Sequence, residues 1–243
     1  MPLEKRLASF QRASYRYSMD DQISFGMAVE AANNPSKRCP CVLVLDVSSS
    51  MAGNSIEQLK HGVDAYFFDL LADAKAKRTV ELAVVTFGNS AKVVADFQTI
   101  DKFVVPELIA NGNTPMASAL LEAIRIVRKR KTELRSVGLS LHRPWIVLIT
   151  DGAPTDDAST WKHACDALAL EVERDGLLLL AIGVEAANVD KLRELPCFNG
   201  PQRLSTMKFA EFFQWLSDSQ KAVSGSKLGD KLILPPPTWV IQV

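Results

Sequence analysis

Two rhythms of apolar and polar positions run through this chain. Short apolar runs at 41–46 (C-V-L-V-L-D), 80–87 (V-E-L-A-V-V-T-F), 145–150 (W-I-V-L-I-T) and 177–184 have the length and the Val, Ile and Leu content of buried strands. Between them the apolar residues fall at helical spacing. Ile56, Leu59, Val63, Tyr66, Phe67, Leu70 and Leu71 predict a helix over 55–74, and Ala117, Leu120, Leu121, Ile124 and Val127 predict a second. Thr114-Pro115 opens that second helix, with proline at the first helical position, where no amide donor is needed. Arg128-Lys129-Arg130-Lys131 closes it as a solvated face that complements the helix dipole. Further helices are expected over 156–175, with Asp156 and Asp157 in its first turn, over 188–195, and around Phe209, Phe212, Phe213 and Leu216 up to Gly225.

Strands alternating with helices predict an α/β fold, a Rossmann-like, doubly wound and mostly parallel sheet covered on both faces. The tight turn Gly88-Asn89-Ser90 joins 80–87 to a strand over 91–97, and two strands so closely joined must be antiparallel. A short edge strand is expected at 203–205. The organisation reads as an N-terminal arm (1–38), one domain (39–223) and a C-terminal tail (224–243) packed on it. Within the arm, Gln22–Glu30 alternates as an edge strand or short docked segment would, and Met19 is an alternative start. Pro235-Pro236-Pro237 makes the tail extended.

Composition narrows the function classes. With 28 basic and 28 acidic side chains the formal net charge is zero, which leaves no electrostatic footprint for nucleic acid or an anionic membrane. No apolar run approaches the roughly 18 residues of a membrane span. The four cysteines, Cys39, Cys41, Cys165 and Cys197, have neither disulfide-framework nor zinc-ribbon spacing and read as packed free thiols. Without a secretory leader pattern the expected compartment is the cytoplasm.

Three loops concentrate oxygen ligands where strands end or helices begin: Asp46-Val47-Ser48-Ser49-Ser50, Thr114-Pro115-Met116 and Thr150-Asp151-Gly152. In a doubly wound sheet two strand ends meet at the topological switch point, and ligands bind there. Asp46, Ser48, Ser50, Thr114 and Asp151 would then converge as two carboxylates and three hydroxyls. Such hard donors suit Mg²⁺, with Mn²⁺ or Ca²⁺ as alternatives.

These motifs resemble the von Willebrand factor type A domain, whose metal-ion-dependent adhesion site (MIDAS) has the order D-x-S-x-S, Thr, Asp. Asp46, Ser48 and Ser50 match the first element, Thr114 in N-T-P-M-A-S-A-L the second and Asp151 in I-T-D-G the third. The resemblance implies a six-stranded sheet with one antiparallel edge strand, no catalysis, and metal-dependent binding of a protein that presents Asp or Glu. Ser49 stands where many relatives have Gly, at a variable position. Asn113 stands where Gly often precedes the Thr, and Asn tolerates a positive φ if one is required. R-C-P-C-V-L-V-L-D and the A-V-S-G-S…L-P-P-P tail are similar, more narrowly, to TerY-like proteins of the bacterial tellurite-resistance cluster. That likeness implies a protein kinase and a PP2C-like phosphatase as partners in a stress phosphorylation system. The rival readings are an adaptor for an AAA-type ATPase and a Mg²⁺-dependent hydrolase. The hydrolase lacks a second acid two residues after Asp46, a G-x-S-x-G elbow and a phosphate-binding glycine loop.

Overall fold

The computed structural model describes residues 19–174, 176–185, 187–205, 208–226 and 234, with side chains from residue 26 onward. In chain order the elements are α1 (Met19–Asn33), β1 (Cys39–Asp46), a 3-10 turn (Ser49–Met51), α2 (Asn54–Ala72), α3 (Ala76–Thr79), β2 (Val80–Phe87), β3 (Ala91–Thr99), α4 (Met116–Ser136), β4 (Trp145–Thr150), α5 (Ala158–Glu173), β5 (Leu178–Val184), α6 (Val189–Leu192), β6 (Gln202–Leu204) and α7 (Phe209–Gly225). The six strands lie in the order β3-β2-β1-β4-β5-β6. All neighbours are parallel except the β2–β3 hairpin, so β3 is the antiparallel edge.

The central strands are buried along their whole length because helices cover both faces. Alternation then sorts their side chains. Leu43, Leu45, Val84, Val147 and Ile149 face α2 and α7, and Val42, Val44, Val85, Ile146 and Leu148 face α4 and α5. The Phe209, Phe212 and Phe213 stripe of α7 is core, with Phe213 beside Tyr66 of α2 at 5.8 Å between ring centroids. Gly62 makes this contact possible, since a Cβ there would stand 2.4 Å from the Phe213 ring.

Several expectations change. Gln22–Glu30 is not an edge strand but part of α1. The sheet edges are already taken by β3 and β6, and Asp20 and Asp21 at the start with Ala28, Ala31 and Ala32 later favour a helix. Helix α4 runs beyond the basic run to Ser136, and the run is not simply solvated. Arg128 and Lys131 pair with the buried Glu171 of α5, and Arg130 grips Glu81 through Nε (2.8 Å) and Nη2 (2.7 Å). Pro115 falls one residue before α4, at its N-cap. The expected strand at 91–97 continues to Thr99, and the helix expected over 188–195 is the shorter α6. The arm at 1–18 lies outside the described residues, as does the tail apart from 224–226, which finish and cap α7, and Leu234, which packs on the α2–α7 core.

Glu81 also accepts from Nε of the fully buried Arg38 at 3.1 Å. This carboxylate holds two guanidiniums at the end of the sheet remote from the strand carboxyl termini. Removing one partner of a buried ion pair leaves an uncompensated charge. Glu81→Ala is therefore expected to destabilise the chain by about 3–5 kcal/mol, measured by urea unfolding; a loss within the error of that measurement would contradict it.

Candidate functional site

Strand β1 lies between β2 and β4, and the chain leaves it in one direction toward β2 and β3 and returns on the other side as β4. The β1/β4 junction is thus the switch point, and the loops that follow the two strands open side by side. Asp46 ends β1 and is fully buried; Asp151 follows β4 directly and is half-buried.

A continuous set of hydrogen bonds joins these loops. The backbone N–H of Ser48 donates to Asp46 Oδ1 (2.8 Å), and the Ser48 and Ser50 hydroxyls are 3.0 Å apart. Ser50 Oγ then donates to Asp151 Oδ1 (2.6 Å). Thr114 is buried, and a Cβ on Gly152 would meet its Oγ1 at 3.3 Å, so this hydroxyl lies close against the residue that follows Asp151. Of the residues singled out from the sequence, these bonds link Asp46, Ser48, Ser50 and Asp151, and Thr114 lies against Gly152, the residue after Asp151.

The frame that holds them was only partly visible beforehand. Thr150 Oγ1 donates to Asp46 Oδ2 (2.6 Å), which fixes the carboxylate from its other side. Asp156, expected in the first turn of α5, instead caps α4: it accepts from the amides of Ala117 (2.9 Å) and Ser118 (3.1 Å) and from Ser118 Oγ (2.7 Å). Asp157 alone caps α5. Thr155 adds a pair of bonds to Thr114, donating its N–H to Thr114 O (2.9 Å) and accepting from Thr114 N (3.2 Å). Ser49 is not idle either, since its Oγ accepts from the amide of Gly112 (3.0 Å) and its own amide donates to Gly112 O (2.9 Å). Gly112, not Asn113, takes the positive φ (86°), and a Cβ there would collide with the Asn89 backbone. The N-G pair at 111–112 is the signal that could have marked this turn.

The electrostatics are one-sided. Burial, opposed by hydrogen bonds from Ser48 and Thr150 and reinforced by the neighbouring Asp151 charge, pushes the Asp46 carboxyl above its ordinary value. None of the ion pairs among the described residues involves Asp46 or Asp151. A buried acid beside a half-buried one, with no counter-charge among the described side chains, fits a divalent cation. The donors fit as well, being all oxygen and mostly neutral. Among the described residues no trio of His, Cys, Asp or Glu is placed to hold a metal, so this site depends on its hydroxyls.

Residues 41–220 match the family model of the von Willebrand factor type A domain, and the chain belongs to that family. In fold it is similar to the vWF domain of the type V pili tip protein Mfa5 from Porphyromonas gingivalis (TM-score 0.57, 13% identity, covering 81% of this chain and 99% of that one). It is also similar to the manganese-loaded TRAP protein of Plasmodium vivax (0.51, 18%, 72% and 71%). A third is proximal thread matrix protein 1 from the mussel byssus, with a zinc-occupied MIDAS motif (0.53, 15%, 76% and 48%), of which the chain spans about half the length. At these identities the likeness is one of fold. No curated protein matches the chain in sequence.

The raised Asp46 carboxyl sets a pH dependence. The folded chain holds that proton more tightly than the unfolded chain, so stability is greatest when Asp46 is protonated and falls as pH rises above the ordinary carboxylate range. In EDTA, Asp46→Asn is expected to lose this contribution to the slope and to melt above wild type at neutral pH. Thermal melts from about pH 4 to about pH 8 check it; identical slopes and midpoints for the two proteins would contradict it.

Proposed function

We propose that this chain is a non-catalytic, metal-dependent binding module. Asp46, Ser48, Ser50, Thr114 and Asp151 would hold a divalent cation, Mg²⁺ first and Mn²⁺ or Ca²⁺ as alternatives. When bound, the cation supplies a Lewis-acidic coordination position for an oxygen of a partner protein. Three of the five side chains are neutral, so they leave the ion short of negative charge, and an Asp or Glu of the partner is the complementary ligand. The carrying observation is the pairing of buried Asp46 with half-buried Asp151, linked through Ser48 and Ser50 and matched by no described cationic side chain. The manganese and zinc held by the TRAP and mussel proteins support the choice of a divalent ion. Everything the chain's own residues do here is positional. Thr150 and the Ser48 amide orient Asp46, Gly152 leaves room for the Thr114 hydroxyl, and Thr155 and Asp156 fix the loop that carries it.

The setting that the sequence favours is the cytoplasmic adaptor of a bacterial tellurite-resistance or stress phosphorylation system, with a protein kinase and a PP2C-like phosphatase as partners. Its support is the R-C-P-C-V-L-V-L-D opening and the tail motif, both similar to TerY-like proteins.

A pull-down from native bacterial cytoplasm, in Mg²⁺ and in EDTA, tests both levels using wild type, Asp46→Ala and Thr114→Ala. The expected result is a partner held by wild type in Mg²⁺ and lost in EDTA and in both variants. Identification of that partner as a kinase or phosphatase supports the narrower setting, and an AAA-type ATPase would replace it. A partner retained under every condition would overturn the metal-bridged reading.

A further inference from the structure

At the opposite end of the sheet from Asp46 and Asp151, beside the amino ends of β4 and β5, the surface holds a cavity of about 440 Å³. Lys131 and Arg135 of α4 form one side of it, and Leu141 to Pro144, on the approach to β4, form another. Glu171, Arg174 and Gly176, at the end of α5 and before β5, complete the lining. The volume is that of a small-ligand site.

The walls are bonded backbone. The amide of Leu178 donates to Pro144 O (2.8 Å), that of Gly176 to Glu171 O (2.8 Å), and that of His142 to Arg38 O (2.7 Å). Arg143 is fixed along the wall, its Nε donating to Leu177 O at 2.8 Å. A Cβ on Gly176 would stand 2.8 Å from Glu171 Oε2 and 3.2 Å from Lys131 Nζ, so the glycine leaves that ion pair its room. A hollow built this way keeps its shape without a ligand, which lowers the ordering cost of binding.

Charge sets this hollow apart. The whole chain is balanced, with 28 basic and 28 acidic side chains. The described lining nevertheless has four cations, Lys131, Arg135, Arg143 and Arg174, and a single acid, Glu171. Asp175, next after Arg174 in the chain, lies outside the described residues. Glu171 is already paired, with Arg128 Nε at 2.9 Å and Lys131 Nζ at 3.6 Å. Arg135 and Arg174 are exposed and take part in no ion pair among the described residues. Burial and the charges of Lys37 and Lys75 push the His142 imidazole down to about 4, so it is a neutral group at neutral pH. An arginine near a helix C-terminus complements the helix dipole, which accounts for Arg135 and Arg174 one at a time. It does not account for both lining one hollow whose described acid is already paired.

We propose that this hollow binds a phosphate group, held by the guanidinium groups of Arg135 and Arg174. The planar guanidinium fork matches phosphate oxygens two at a time. A phosphate monoester carries close to two negative charges at neutral pH, so it answers a surplus of cations that one carboxylate would leave partly unmet. The site shares no residue with the candidate metal ligands and does not depend on the metal reading.

The test is calorimetric titration of the full chain, stripped of metal by chelation and dialysis and held at fixed ionic strength. The probes are inorganic phosphate, pyrophosphate, a short phosphoserine peptide and the same peptide with Glu in place of the phosphoserine. The proteins are wild type, Arg135→Gln, Arg174→Gln and, as a control for the loss of one exposed charge elsewhere, Lys92→Gln. Unchanged melting midpoints show that the variants fold. Wild type and Lys92→Gln are expected to bind at least one phosphate probe and to prefer it to the Glu peptide. Each arginine variant is expected to bind it about tenfold more weakly, equivalent to about 1.4 kcal/mol. Tighter binding of the phosphopeptide than of the inorganic probes would support the proposal with a phosphorylated protein as the source, and the reverse would support it with a free phosphate compound. Absence of binding by every phosphate probe, equal binding of the Glu peptide, or binding that both arginine variants retain would overturn it. Weakening by Lys92→Gln equal to that by the arginine variants would mean diffuse attraction to surface charge, and would overturn it as well.

Discussion

Asp46 is the constraint on which the rest of this structure turns. A carboxylate at the end of a central strand has no access to solvent, feels the charge of the neighbouring Asp151, and meets no cationic side chain among those described. Burying an uncompensated ionised group costs several kcal/mol, so a fold retains one only where something else supplies the charge. Hydrogen bonds from the Ser48 amide and Thr150 meet part of that cost by fixing the two carboxylate oxygens. A divalent ion would meet the remainder, and the hydroxyl-rich donor set around the pair is suited to one that keeps a position free for an outside ligand.

The switch point places strand ends, but it does not by itself hold loops in register. Here the loops are tied to one another more than to their own elements. Asp156 spends its carboxylate on the N-terminus of α4, Thr155 brackets Thr114, and Ser49 exchanges two bonds with Gly112. The candidate ligands thus come from three separated parts of the chain, and hydrogen bonds between the loops that carry them tie those parts together.

The fold was legible because its signals were strong and mutually consistent. Apolar runs such as Val42–Leu45, helical spacing in α2 and α4, and the Gly88-Asn89-Ser90 turn allowed few other topologies. The candidate ligands were legible for the same reason, as oxygen-bearing residues that interrupt apolar runs. What sequence could not reveal was the partner of each polar side chain across the chain. Asp156 and Asp157 are chemically equivalent neighbours, yet one caps α4 and the other α5, a distinction set by where the loop lies in space. Arg130 read as a solvated charge until β2 placed Glu81 against it. Gln22–Glu30 misled because a short amphipathic window can satisfy a period of two by coincidence, while sheet edges occupied by β3 and β6 are a tertiary fact.

The most direct test of the central claim is the melting temperature of the purified chain as Mg²⁺ or Mn²⁺ is added after exhaustive chelation. A cation that binds only the folded state adds about 2.7 kcal/mol at a hundred times its dissociation constant. For a domain of this size that corresponds to a rise of roughly 5–10 °C. The account predicts such a rise, dependent on metal concentration and absent in Asp151→Ala. A midpoint that stays fixed across millimolar Mg²⁺ and Mn²⁺ would mean that the Asp46–Asp151 pair serves the fold without a metal, and would contradict the account.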